Sequence, residues 1–201
     1  MKMNRAEKIL MNNPIRAAFQ IWYEAPLLER LGGRTEGMHV LEVGCGRGVG
    51  TREIFQRFAA QSIHAIDVDP EMIAKARQRL FEFPPDRLTV EVGDVTAIDA
   101  ADGAYDAVFD FAIIHHVPVW QDAVAEIRRV LKPGGRFYFQ EVTSHFLEKW
   151  FARTFLEHPN ENRFSGREFV DELNRQGIAV GGNFVERGGG DYIFGVGRRV
   201  V

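Results

Sequence analysis

Cysteine is almost missing from this chain: Cys45 is the only one in 201 residues. A single thiol excludes an internal disulfide and cannot complete a cysteine-rich zinc site, which points to a reducing compartment, the cytoplasm. Long apolar runs are missing too. No stretch approaches the length of a membrane span, and in "MKMNRAEKILMNN" the run "ILM", set among Lys2, Arg5 and Lys8, is too short for the core of a signal peptide. An excess of positive charge is also lacking. The formal net charge is −3, so there is no global field to attract a polyanion, and no basic stripe supplies a local one; nucleic acid is not expected as a partner. Repeats and low-complexity linkers are absent as well. What remains, 45% hydrophobic and 26% charged residues, suits one soluble domain over 1–201 with a single sizeable core.

Within that domain, short β-branched runs alternate with helical patterns, the grammar of an α/β fold. Asn13 and Pro14 have the form of an N-cap and first helical residue, after which Ile15, Ala18, Phe19 and Trp22 recur at helical spacing. A helix is expected from there towards Pro26, and a second short one through "LLERL". Strands are expected at 38–43, 62–67, 88–92, 105–110 and 136–142. After the second of these, Pro70 opens a helix with Met72, Ile73, Ala76 and Leu80 on one face. Another helix runs through Val124, Ile127 and Leu131 and is expected to stop at Pro133, with Gly134 and Gly135 turning the chain into a strand. Right-handed crossovers then build a parallel sheet with helices on both faces. Ligands of such sheets lie beyond the carboxyl ends of the strands, where the strand order reverses.

That rule directs attention to "VLEVGCGRGVGT", residues 40–51. The order strand, glycine-rich turn, helix lets backbone N–H groups approach a ligand with no Cβ in the way. The spacing is not the dinucleotide G-x-G-x-x-G, because Val49 stands at the third glycine position, and no G-K-[ST] follows to make a phosphate loop. Glu42, two residues before Gly44, would repel a pyrophosphate but could hold a cationic ammonium, directly or through water. The expected ligand is a nucleoside carrying a positive group.

The series "VLEVGCGRG", "HAIDVDPEMIAKARQR", "VEVGDVTAI", "YDAVFDFAIIHHV" and "EIRRVLKPGG" resembles the ordered motifs of the class I S-adenosylmethionine-dependent methyltransferases, especially the small-molecule group that includes quinone-biosynthesis enzymes. The likeness spans about residues 38 to 142. It implies a Rossmann-like α/β sheet of seven strands in the order 3-2-1-4-5-7-6, the last strand antiparallel, with "GIAVGGNFVE" and "DYIFGVGRRV" supplying strands six and seven. It also implies S-adenosylmethionine as cofactor, S-adenosylhomocysteine as product, and no metal. Carried over position by position, Glu42, Gly44, Cys45, Gly46 and Gly48 neighbour the methionine part. Asp67, 19 positions after Gly48, holds the ribose hydroxyls, Val68 packs on adenine, Asp94 accepts from the adenine amino group, and the Val95 N–H donates to the ring. Phe111 and Ala112 lie where backbone contacts to the cofactor are expected. Each has a plainer use as well: Asp67 and Asp69 as caps of the helix opening at Pro70, Asp94 as a turn acid.

The candidate catalytic residues are Asp110 and His116. Asp110 departs from the resembling pattern, which more often has a small polar residue there; it could stabilise the bound cation or orient an acceptor. His115 and His116 match an "LHHV" segment past strand four. Side by side in an extended segment they would point to opposite sides, so a shared metal site is not expected. His116 is either a proton acceptor, or a substrate-binding group, or a loop residue that shapes the rim. Residues 1–36 are expected as a helical lid bearing a candidate substrate contact, Tyr23, and residues 143–165 as a substrate-side helix with Phe146, Trp150, Phe151 and Phe155. The function implied is methyl transfer to a small, partly apolar molecule by in-line displacement. Alternatives are methylation of nucleic acid or protein, or binding of the cofactor without catalysis. The oligomeric state is not legible.

Overall fold

The computed structural model describes residues 13–148 and 162–200. Helix α1 (Pro14–Phe19) passes through a π-helical turn (Gln20–Glu24) into α2 (Ala25–Gly32). There follow β1 (His39–Val43), α3 (Val49–Gln56), β2 (Ser62–Asp67), α4 (Pro70–Arg79), β3 (Leu88–Val92), β4 (Tyr105–Phe111), a 3-10 turn (Ile114–His116), α5 (Trp120–Val130) and β5 (Leu131–Val142). The chain closes with α6 (Ser144–Leu147), α7 (Gly166–Arg175), β6 (Ile178–Ala179), β7 (Phe184–Arg187) and β8 (Tyr192–Arg199). No helix among the described residues is long and apolar enough to cross a membrane.

The strands form one sheet in the order β3-β2-β1-β4-β5-β8-β6, with β7 also paired to β8. Strands β1 to β5 run parallel, and β8 is antiparallel to β5, β6 and β7. This is the Rossmann-like order expected, with β8 as the seventh strand and the sixth split into β6 and β7 around Gly181 and Gly182. Alternation along the strands feeds two cores. Leu41, Val43, Val108, Phe137 and Phe139 face α5 and α7 on one side. Val40, Phe109 and Tyr138 face α2, α3 and α4 on the other.

Two boundaries and one helix face differ from expectation for physical reasons. The first helix does not end towards Pro26. The Ala25 N–H reaches back five residues to the Gln20 carbonyl, and this widened turn accommodates the proline, which has no N–H to place. The apolar residues that set the helical period, moreover, face outward: Ile15 is 81% and Trp22 78% exposed. The inward face is polar, because Arg16 pairs with the buried Glu24 at 2.7 Å and approaches Gln140 Oε1 at 3.5 Å. Finally, α5 stops at Val130, before Pro133, and Leu131 already pairs with Tyr105; the "KPGG" residues bulge out of β5 before Arg136 rejoins β4 at Ala107.

One tether sets where the N-terminal helices lie. The Tyr138 hydroxyl is 2.9 Å from the Gly32 carbonyl and 3.0 Å from that of Gly33, and Arg136 donates to the carbonyls of Gly32 and Arg34. A Cβ on Gly32 would come within 2.4 Å of the Tyr138 ring. That ring stacks on Phe109 at 4.3 Å, worth about 1 kcal/mol beyond the area it buries. The helical run α1–α2 is thereby held against the sheet, with Arg16 and Gln20 at the carboxyl ends of the strands.

Candidate functional site

Strand order reverses between β1 and β4, and a cleft of about 240 Å³ opens there beyond the strand ends. Its floor is the turn after β1. Gly44, Gly46 and Gly48 all take positive φ, at 66°, 53° and 81°, which L residues adopt at a cost. A Cβ on Gly44 would lie 2.3 Å from the Ile113 side chain, whereas one on Gly46 would meet nothing within 4 Å. Gly46 therefore leaves its backbone open to the cleft. The Cys45 N–H donates to the Ile66 carbonyl and the Gly46 N–H to Asp67 Oδ2, each at 2.9 Å, which ties the turn to the end of β2.

Asp67 and Asp69 divide their work. Asp69 caps α4 by accepting from the Glu71 N–H at 2.9 Å, while Asp67 accepts from the N–H groups of Gly46 and Asp69 at the cleft wall. An ionised carboxylate accepts from up to about four donors, and this one lines the cleft. Val68 beside it is 39% exposed and presents an apolar surface to the cleft. Across the cleft, Asp94 forms a turn by accepting from the Thr96 N–H and hydroxyl through Oδ1 alone.

Glu42 lies beneath the glycine turn and borders the cleft. The Thr51 hydroxyl donates to its Oε2, and a Cβ on Gly50 would lie 2.2 Å from its Oε1 and 2.7 Å from Phe111. Burial outweighs the Thr51 bond and lifts the carboxyl pKa from 4.5 to about 8. Burial, with Glu42 and Asp67 nearby, also raises the Cys45 thiol well above its ordinary value, so the thiol stays protonated. Ala112, at the end of β4, holds a φ of 65° at the cleft wall, a strained non-glycine conformation of the kind found at ligand sites.

The cleft thus unites Glu42, Gly44, Cys45, Gly46, Asp67, Val68, Asp94, Val95, Phe111 and His116. It does not include Gly48, which caps α3 and packs on Leu80. Nor does it include Tyr23. That ring stacks on Phe19 at 5.0 Å, and its hydroxyl accepts from Arg187 at 3.0 Å. Asp110 is fully buried behind the wall, accepting from the Ile113 N–H at 3.0 Å. The histidines are not in an extended segment: the 3-10 turn sets their rings side by side, centroids 4.2 Å apart. His115 turns inward to Glu141 Oε2 at 2.6 Å, and His116 lines the cleft. Among the described residues no group of three or more metal-ligating side chains is gathered. Phe146 packs near Tyr192, 5.4 Å between ring centroids; Trp150, Phe151 and Phe155 lie outside the described residues, as do residues 1–12.

Three contributors were not foreseen. Arg16 and Gln20 wall the cleft from α1 and the π turn; their i, i+4 spacing after the Asn13 cap is the signal that could have found them. Glu141 is the third, and nothing in "FQEV" marks it.

A family model described as a methyltransferase domain matches residues 40–135. Over 110 residues the chain is 31% identical to phosphoethanolamine N-methyltransferase 2 of Caenorhabditis elegans, covering 55% of this chain and 25% of that one. Over 105 residues it is 35% identical to the sterol 24-C-methyltransferase of Yarrowia lipolytica, covering 52% and 28%. The match therefore spans about a quarter of the length of these curated relatives. In fold the chain is similar to the crystal structure of an S-adenosylmethionine-dependent methyltransferase from Aquifex aeolicus, with a TM-score of 0.78 over 99% of this chain and 100% of that one at 23% identity.

Proposed function

We propose, from the methyltransferase-domain match over residues 40–135 and the likeness in fold, that the chain is a class I S-adenosylmethionine-dependent methyltransferase whose cleft binds S-adenosylmethionine and directs a methyl group to a small, partly apolar acceptor. The observation that carries this reading is the placement of Asp67: a carboxylate at the end of β2, tied to the glycine turn and lining the cleft. The other donor and acceptor types fit the same group. Asp67 would hold the ribose hydroxyls, Val68 would cover one face of adenine, and Asp94 with the Val95 N–H would read its edge. The open backbone at Gly46 and the Glu42 carboxyl would receive the methionine part, with its cationic ammonium. When bound, the cofactor supplies an activated methyl on a sulfonium, so the chain's own residues need mainly to orient the acceptor and exclude water.

Those tasks fall to the rim. Arg16, Ala17 and Gln20 from the N-terminal run face His116, Val117 and Pro118 from the segment after β4. This mixed wall suits an acceptor with one polar and one apolar end. His116, which lines the cleft, would take a proton from an acceptor hydroxyl or amine. The stretches 1–36 and 143–165 are proposed as the acceptor-side cover. The names of the relatives above, which refer to phosphoethanolamine and to sterol, support a small-molecule acceptor without selecting one.

The test is transfer of label. Incubated with methyl-labelled S-adenosylmethionine and fractionated cell extract, the protein is expected to label a small-molecule fraction. Label in the nucleic-acid or protein fraction would instead favour the macromolecular alternative.

A further inference from the structure

Behind the cleft wall, Asp110 of β4 and Glu141 of β5 are both fully buried. Glu141 is surrounded by donors. Its Oε1 accepts from the Ile114 N–H at 2.6 Å, and its Oε2 from His115 Nδ1 at 2.6 Å and the Val142 N–H at 3.1 Å. The Asp110 carboxyl stands beside it on the neighbouring strand, where Asp110 is in register with Phe139, and the two acids interact. Three donors suit an ionised carboxylate, whose roughly four lone-pair sites leave room for one more. Asp110 accepts from far fewer donors than Glu141, so of the two acids Glu141 suits the ionised form and Asp110 the protonated one. The Asp110 carboxyl agrees. Its Oδ1 accepts from the Ile113 N–H, whereas Oδ2 is buried and receives no donor; an O–H at Oδ2 gives that atom its partner by donating to Glu141. Burial raises the pKa of both acids, and the neighbouring Glu141 carboxylate raises that of Asp110 further.

The residues clamped by this pair are the ones the cleft uses. The Ile113 side chain packs under Gly44, and His116, its N–H bonded to the Ile113 carbonyl at 3.0 Å, stands at the wall beside the His115 ring. We infer that Asp110 and Glu141 form a proton-sharing carboxyl pair whose task is positioning: Asp110 donates to Glu141, and Glu141 fixes the 113–116 turn that braces the glycine turn and presents His116. Asp110 is then a neutral hydrogen-bond donor behind the wall and touches neither cofactor nor acceptor. That it matters for methyl transfer rests on the cofactor reading above; the geometry of the pair does not.

Asparagine imitates a protonated aspartic acid, since it carries one acceptor oxygen and one donor. Asp110→Asn is therefore expected to bind S-adenosylhomocysteine within about twofold of the parent, while Asp110→Ala and Glu141→Gln weaken it about tenfold, the usual scale for leaving a buried hydrogen-bonding group unpaired. Aspartate-selective 13C carboxyl NMR supplies a readout that a purely structural role would not move. The Asp110 signal, assigned by its loss in Asp110→Asn, is expected at the protonated position at pH 7, and the imidazole 15N signals of His115 should shift in Glu141→Gln but not in Asp110→Asn. An Asp110 signal at the ionised position, or Asp110→Asn as damaging as Asp110→Ala, would overturn the proposal. If the parent binds no S-adenosylhomocysteine, the cofactor reading fails, and the NMR arm still decides the pair.

Discussion

Glu42 offers a perturbation whose size follows from its surroundings. In the unfolded chain its carboxyl ionises near 4.5, and in the folded protein burial delays this to about 8. Between those values the folded state holds a proton that the unfolded state has released, so stability falls as pH rises, by about 1.4 kcal/mol per unit, and the loss is complete above pH 8. The whole window is worth about 5 kcal/mol, of which about 4 kcal/mol falls between pH 5 and 8. Glu42→Gln removes the ionisation while keeping an acceptor for Thr51. Urea unfolding of parent and variant at pH 5, 6, 7 and 8 is expected to show the variant gaining on the parent by about 4 kcal/mol across the series, since the other titrating groups are common to both. A difference that stays flat with pH would refute the burial argument. The same group couples to ligand binding. If the cofactor ammonium meets Glu42, binding favours the ionised carboxylate, so at pH 7 the parent should release close to one proton on binding and the variant none. Calorimetry in two buffers of different ionisation enthalpy measures that number.

Three further substitutions probe the site. Gly50→Ala puts a methyl 2.2 Å from Glu42 Oε1 and 2.7 Å from Phe111; urea unfolding should show a loss of about 1–3 kcal/mol, and parent-like stability would mean the first turn of α3 has more room than it shows. Asp67→Ala removes the acceptor of the Gly46 and Asp69 N–H groups along with the ribose contact, and calorimetry should find S-adenosylhomocysteine affinity lowered about 10- to 100-fold. His116→Ala is expected to keep cofactor affinity while losing methyl transfer by about a hundredfold or more; full turnover would leave His116 a packing residue of the rim.

How far the molecule could be read from its residues depended on whether the signal was local. The five parallel strands were legible because a buried parallel strand is a short apolar run between turns, and α4 because Pro70 and the Met72, Ile73, Ala76 stripe lie within one window. The glycine turn and its carboxylates were legible because ordered motifs preserve their spacing. Direction was harder. A helical period says that one face is apolar, not which way it points, and on α1 the buried Arg16–Glu24 pair turned the polar face inward. The histidine pair was misjudged through its backbone: with residues 114–116 in a 3-10 turn, neighbouring rings lie together. Glu141 was invisible because its donors come from β4, the 3-10 turn and its own strand, and that convergence across 26 or more positions exists only in the folded chain.

Cofactor binding in the cleft is the event on which the function turns. Titration calorimetry of the protein with S-adenosylhomocysteine at pH 7 is predicted to show a single saturable site, lost or strongly weakened in Asp67→Ala. Absence of binding by the parent, or binding that Asp67→Ala leaves unchanged, would contradict it.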